Sequence, residues 1–236
     1  SGSFGSLVII RQVTLSVFPI QEASGTVVVV GEREHIAKAT QTLLSSALTP
    51  VAVELLSTNL VKELDLGKAV GLIVRFQTVI GSVEEQLQKL LEVGNSLGLN
   101  CTRYCDYEVE LWNKLKQKIW HSHRKTEIIC KIGVMPNQAV ETLNQVALET
   151  GLGLIHAGSG LGELHFNSVN PETILELRQW CESIGGFLTV LAAPLEIKQK
   201  LDVWGYNQNG LDMIRRIKQK FDPQNILNPH SFVGGI

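Results

Sequence analysis

Long apolar runs are missing from this 236-residue chain: stretches such as residues 7–10 and 27–30 fall far short of the ~20 residues a membrane-spanning helix needs. An excess of charge of one sign is missing too. Lys and Arg number 21 against 23 Asp and Glu, a formal net charge of −2 with a pI near 6.3. Neither a nucleic-acid backbone nor an anionic membrane has an electrostatic reason to bind, so no nucleic-acid partner is expected. Cysteine is scarce. Cys101, Cys105, Cys130 and Cys181 cannot form a dense disulfide framework over this length, and Cys101 and Cys105 match neither zinc-ribbon nor redox spacing, so they read as core or surface thiols. The chain does not open on a basic segment followed by an apolar one, so no secretory leader is expected and a reducing, cytoplasmic setting is. Neither a Gly-x-Ser-x-Gly elbow nor a P-loop occurs, which removes the starting residue for serine-hydrolase and P-loop phosphatase chemistry.

What is present has the balance of a globular protein, 44% apolar and 19% charged, laid out with a recurring order of elements. Residues 26–30 are β-branched and read as a strand; residues 32–48 then place Ile36, Ala39, Leu43, Leu44 and Ala47 at helical spacing until Pro50 ends the helix. Strands follow at 51–56 and 69–76, separated by a polar loop containing Asn59 and Asp65. Ser82 and Glu85 read as a capping box opening a helix that carries Val83, Leu87, Leu90, Leu91 and Leu97 and closes at Gly98; a strand at 99–104 completes β-α-β-β-α-β. The same order returns: a strand at 127–134, a helix at 137–150 with Val140, Leu143 and Val146 inward, and strands at 153–156 and 164–166. A helix begun by Asn170 and Pro171 with Ile174, Leu177, Cys181 and Ile184 inward, then a strand at 187–191, completes it. Residues 106–124, with Val109, Trp112, Leu115 and Ile119, read as a helical connector, and beyond Pro194 Asn209 precedes a helix carrying Met213, Ile214 and Ile217. The expected fold class is α+β: the ferredoxin-like βαββαβ unit used twice, with antiparallel sheets, helices on one face and a C-terminal helical tail.

Chemistry concentrates in residues 155–167, where His156 and His165 flank the glycine-rich stretch holding Gly158, Gly160 and Gly162. Both histidines fall near the ends of neighbouring strands, so a turn between them can aim two imidazoles at one metal ion or anionic substrate; the alternative is a hairpin with two merely polar histidines. A metal-dependent hydrolase built on His156, His165 and Glu163 is one class this allows. A dinucleotide loop is not: Glu163 stands where the fingerprint needs glycine, and a strand follows where it needs a helix. His121 and His123 belong to a polar stretch that reads as a solvated linker, while Trp112 and Trp180 fall on apolar helical faces and read as core.

The two ends carry a resemblance. Lys220-Phe221-Asp222-Pro223-Gln224-Asn225-Ile226-Leu227-Asn228-Pro229 is similar to the closing motif of FAD-linked oxidases of the vanillyl-alcohol oxidase and D-lactate dehydrogenase type. Residues 2–15, followed by Phe18-Pro19, resemble the last flavin-contacting loop and strand of that family's FAD domain. Ala193-Pro194-Leu195-Glu196-Ile197-Lys198, Val203-Trp204-Gly205 and the terminal Phe232-Val233-Gly234-Gly235-Ile236 resemble the E-type, FAD-binding subunits of glycolate oxidase within it. The resemblance implies residues 1–20 as a remnant of the FAD-binding domain and 21–236 as the FAD-linked oxidase C-terminal cap. The cap divides into repeat one (25–105), connector (106–124), repeat two (125–193) and tail (194–236). It implies oxidation of glycolate or a related 2-hydroxy acid, with FAD held mainly by a preceding domain of the same protein. Flavoprotein D and iron–sulfur F subunits of glycolate oxidase are the implied partners, in the cytoplasm and peripheral to the inner membrane through them. A non-catalytic ferredoxin-like subunit-interaction module is the alternative. Lys131, His156, His165 and Asn167 are the implied substrate-binding set, and Gly2, Gly5, Ser6 and Asn228 the implied flavin-contacting set. Relatives with a complete metal site carry His-x-Gly-Asp-Gly-Asn-Leu-His and a later Glu-His-Gly segment. Here the histidines stand two residues further apart and Ala192-Ala193-Pro194-Leu195 occupies the later position, so neither a metal nor a general base is expected from that source.

Overall fold

Among the described residues eight strands form one sheet in which each neighbouring pair is antiparallel, in the order β4-β1-β3-β2-β6-β7-β5-β8. The computed structural model describes residues 2–120, 127–148, 151–205 and 210–236. The first half runs β1 (Ala23–Gly31), α1 (Arg33–Leu44), β2 (Ala52–Leu56), α2 (Thr58–Glu63), β3 (Val70–Thr78), α3 (Ile80–Ser96) and β4 (Asn100–Tyr104). After α4 (Glu108–Trp120) the second half runs β5 (Ile128–Gly133), α5 (Ala139–Leu148), β6 (Leu152–His156), β7 (Leu161–Phe166), α6 (Pro171–Ser183) and β8 (Phe187–Ala192). Within each half the outer strand is the last, followed by the first, third and second. The expected separate sheets are one, because β2 and β6 pair, with Glu54 opposite His156, Leu55 opposite Ile155 and Leu56 opposite Leu154.

The two-residue period of the strands sorts their side chains. Val27, Val29, Val53, Leu55, Leu72, Val74, Cys130, Ile132, Ile155 and Leu164 join one core with Ile36 and Leu43 of α1, Leu87 and Leu90 of α3, Leu143 of α5 and Ile174 of α6. The opposite face is not bare, as the expectation of helices on one face would have it. Val28, Val30, Leu56, Ile73 and Leu154 form a second cluster with Leu60 and Val61 of α2 and with Leu111, Leu115 and Ile119 of α4. Leu115 and Ile119 are fully buried, which stabilises the fold by about 1.5–3 kcal/mol each. The stripe differs from expectation in one residue: Val109 is exposed, and Glu108 is buried in its place. Its carboxylate accepts hydrogen bonds from Ser24 Oγ (2.5 Å), Thr26 Oγ1 (2.9 Å) and Arg75 Nε (2.6 Å), while the Arg75 guanidinium stacks over Trp112, 5.7 Å from the ring centroid.

Local chemistry departs from the sequence pattern at three further points. The polar loop at 57–65 contains α2, because Ser57 Oγ accepts from the Leu60 N–H and caps it. Helix α3 starts at Ile80, two residues ahead of the expected capping box. Ser82 instead accepts from Gln86 Nε2 within the helix. Asn170 precedes α6 and Pro171 occupies its first turn, but the Asn170 side chain makes no capping bond. His121 and His123, and Asn209 before the tail helix, lie outside the described residues.

The chain divides into two compact units: Ile20–Val203, which holds the sheet, and a discontinuous unit of Ser1–Pro19 with Trp204–Ile236. The short helix α7 (Leu195–Lys198) closes the first, and α8 (Leu211–Phe221) is the helix of the second. Among the described residues no helix is long and apolar enough to cross a membrane.

Candidate functional site

Where α4 ends its cover of the sheet, the exposed face turns polar. Alternation places Glu54 on this face between Val53 and Leu55, which point to the helix-covered core. The same alternation brings out Lys131 from β5, Leu154 and His156 from β6, and Leu161, Glu163 and His165 from β7. Glu54, Lys131, Leu154, His156, Leu161, Gly162 and Glu163 line a cavity of about 230 Å³. Two cross-strand pairs mark its polar ends: Glu54 stands opposite His156, and Lys131 opposite Glu163. Leu154 and Leu161 supply apolar floor between them.

The electrostatics of the cavity are unbalanced. Glu54 Oε2 is buried without a hydrogen-bond partner, and burial raises the carboxyl above its ordinary range, with the neighbouring His156 pulling it partly back. Lys131 makes no ion pair among the described residues. His156 Nδ1 accepts from the Gly158 N–H at 3.2 Å, so the neutral ring carries its proton on Nε2. His165 is buried, with both ring nitrogens lacking a hydrogen-bond partner; its Nε2 lies 3.6 Å from a Glu163 carboxylate oxygen.

Of the expected substrate set, the fold brings Lys131 and His156 to one cavity, seats His165 beside Glu163 just along the same face, and leaves Asn167 exposed past the end of β7. The two histidines do not converge. His165 stands opposite Leu152 while His156 is four residues further along β6, a separation of about 13 Å at ~3.3 Å per residue. Among the described residues no group of three His, Cys, Asp or Glu side chains is placed to hold a metal ion. The turn between β6 and β7 is fixed by Gly160, whose φ is +69° and whose Cβ would fall 1.8 Å from the Val134 carbonyl oxygen. Cys130 and Cys181 are core thiols, pushed up by burial to about 12 and about 11.

The expected flavin-contacting residues meet in the second unit. Phe4 and Gly5 have positive φ and turn the chain; Ser6 Oγ donates to the Ser3 carbonyl at 2.7 Å. Asn228 Nδ2 donates to the Phe4 carbonyl at 2.6 Å, and its Oδ1 accepts from Ser231. Gly2 has no atom near its Cβ position. At the centre lies Lys218, which sequence reasoning missed. Its buried ammonium donates to Asp222 Oδ2 (2.7 Å) and to the carbonyls of Ser6 (2.8 Å) and Leu227 (2.8 Å). Asp222 in turn accepts the N–H groups of Ile226 and Leu227, and the Lys218 bond draws its carboxyl down to about 2, against the opposing cost of burial. A lysine four residues before the Asp-Pro of a terminal helix was the legible signal. Phe4, Trp204 and Phe232 stack around this turn, with ring centroids 4.8–6.0 Å apart. Ser6 and Asn228 thus each make hydrogen bonds within the turn itself.

Residues 199–231 match the family described as FAD linked oxidases, C-terminal domain. Solved structures share the fold, among them the following. An alkyldihydroxyacetonephosphate synthase aligns with a TM-score of 0.59 at 13% identity over 95% of this chain and 47% of that one. A p-cresol methylhydroxylase aligns with a TM-score of 0.59 at 15% identity over 89% and 53%. A 4-ethylphenol oxidase from Gulosibacter chungangensis aligns with a TM-score of 0.57 at 13% identity over 90% and 54%. What these share with the chain is a fold. The chain spans about half the length of the solved proteins it matches, and no curated protein sequence matches it.

Proposed function

We propose that this chain is the C-terminal, substrate-facing part of an FAD-dependent oxidoreductase, with the flavin held mainly by a preceding domain of a longer protein. The observation that carries the reading is the family match over residues 199–231, the segment that builds the Lys218–Asp222 turn around Phe4, Gly5 and Ser6. Residues 8–21 form neither helix nor strand, and Ile9, Leu15, Val17 and Phe18 are exposed, as suits a strand whose sheet lies in another domain. The strand order of each half supports reading the sheet as a ferredoxin-like unit used twice. The finer assignment, to glycolate or a related 2-hydroxy acid and to a glycolate oxidase subunit with D- and F-type partners, rests on the sequence resemblance. An unpaired Lys131 ammonium that can meet a carboxylate supports it. The test is to express the chain with the sequence encoded upstream of Ser1 and record its visible spectrum with and without glycolate. A flavin band bleached by glycolate supports the whole reading; a flavin indifferent to 2-hydroxy acids removes the substrate, and a colourless protein removes the oxidoreductase.

A further inference from the structure

Glu54 sets a half-buried carboxylate among apolar side chains of the sheet. It lies in β2, hydrogen-bonded to β3 on one side and β6 on the other. On its own face it stands opposite Ile73 and two residues from Leu56, both members of the apolar cluster beneath α2 and α4. A carboxylate in that position bears a desolvation cost that no hydrogen bond to Oε2 offsets. Costs of this kind, at a residue lining a cavity, point to a group completed by a ligand.

The neighbour across the ladder says which ligand group. An ionised carboxylate only accepts hydrogen bonds, whereas His156, with Nδ1 occupied by the Gly158 N–H, presents Nε2–H as a donor. An acceptor and a donor side by side fit a group that is donor and acceptor at once. An alcohol hydroxyl is that group; a carbonyl or carboxylate lacks the proton to give Glu54, and an ammonium lacks the lone pair to take from His156. At the other end of the same cavity, beyond Leu154 and Leu161, Lys131 offers an unpaired cation beside Glu163. We propose that Glu54 and His156 together bind the hydroxyl of a small hydroxylated substrate in this cavity, with Lys131 receiving the substrate's other, polar or anionic end. This rests on the reading of the chain as a substrate-facing cap and adds the residue pair that recognises the alcohol.

The charged and titratable groups facing Glu54 are His156 from β6, with Glu163 and His165 of β7 and Lys131 of β5 further along the face. The raised Glu54 carboxyl agrees with a group held short of partners.

The test uses this chain and three probes: glycolate, acetate, which lacks the hydroxyl, and ethylene glycol, which lacks the carboxylate. Binding is read from the amide resonances of Gly158 and Gly162 in NMR titrations. Glycolate is expected to bind about tenfold or more tightly than acetate, since a site built for a hydroxyl rejects the analogue without it. Glu54→Leu, which removes the acceptor, is expected to abolish that preference, and Lys131→Met to weaken glycolate and acetate alike. Equal affinity for glycolate and acetate, a preference that survives Glu54→Leu, or no shift with any probe overturns the proposal. Ethylene glycol binding that depends on Glu54, with glycolate excluded, upholds the hydroxyl site and removes the 2-hydroxy-acid reading instead.

Discussion

At the scale of single residues, position 160 has the least freedom. Alanine there must hold a left-handed backbone and place a methyl 1.8 Å from the Val134 carbonyl oxygen. Gly160→Ala is therefore expected to cost about 2–4 kcal/mol in urea unfolding, with an unchanged midpoint counting against it. Asp222 gives a prediction in pH. Its folded carboxyl lies at about 2, below the ordinary 3.8. The stabilisation is thus complete above the unfolded value and is lost as pH falls from there through about 2. Hydrogen exchange at the Ile226 and Leu227 amides, which donate to Asp222, should show protection at neutral pH that fades across that window and is absent in Asp222→Asn. Equal protection in both proteins would refute the assignment. Glu54 runs in the opposite direction. Because burial raises its carboxyl, any stabilisation from protonating it is present below its unfolded pKa and lost as pH rises through the folded one. Glu54→Leu should therefore raise the melting temperature at neutral pH, and a lower one would mean that the carboxylate holds the fold together.

Among the elements, α4 depends most on a single side chain. The Glu108 carboxylate ties α4 to Ser24 and Thr26 of β1 and to Arg75 of β3, so Glu108→Ala strands a partly buried guanidinium. The expected loss is about 3–5 kcal/mol in chemical denaturation; a change below about 1 kcal/mol would show that the apolar contacts of Leu111, Leu115 and Ile119 suffice. The strands were legible in the sequence as short β-branched and apolar runs, such as residues 26–30 and 51–56, bounded by glycine, proline or polar residues. The face that α4 covers was not legible. Glu108 looks like a surface residue until Arg75, 33 residues earlier, is folded against it. The same limit hid Glu54, a charge in a strand centre whose partner His156 is 102 residues away in sequence and one strand away in space. His156, His165 and Lys131 could be picked out by residue type, but their spacing along the sheet depends on register, which no local pattern fixes across separate strands.

For the molecule as a whole, the purified 236-residue chain is expected to be colourless. Of the flavin-binding surface that the resemblance implies, the chain holds only the short stretch around Gly2, Gly5, Ser6 and Asn228, the rest being assigned to a preceding domain. A stoichiometric flavin absorbance after gel filtration would show that the cofactor is held here after all. The Lys218–Ser6 bond has a consequence for the living cell. Its partners are separated by 212 positions, so at about 5–20 residues per second a ribosome needs about 10–40 s after finishing Ser6 before Lys218 exists to meet it. The whole of Ile20–Val203 is synthesised within that wait, but the turn at Phe4–Ser6 cannot be clasped until Lys218 has been made. A product that stops just short of Lys218 would therefore hold every strand of the sheet while the Ser6 carbonyl still lacks its ammonium donor.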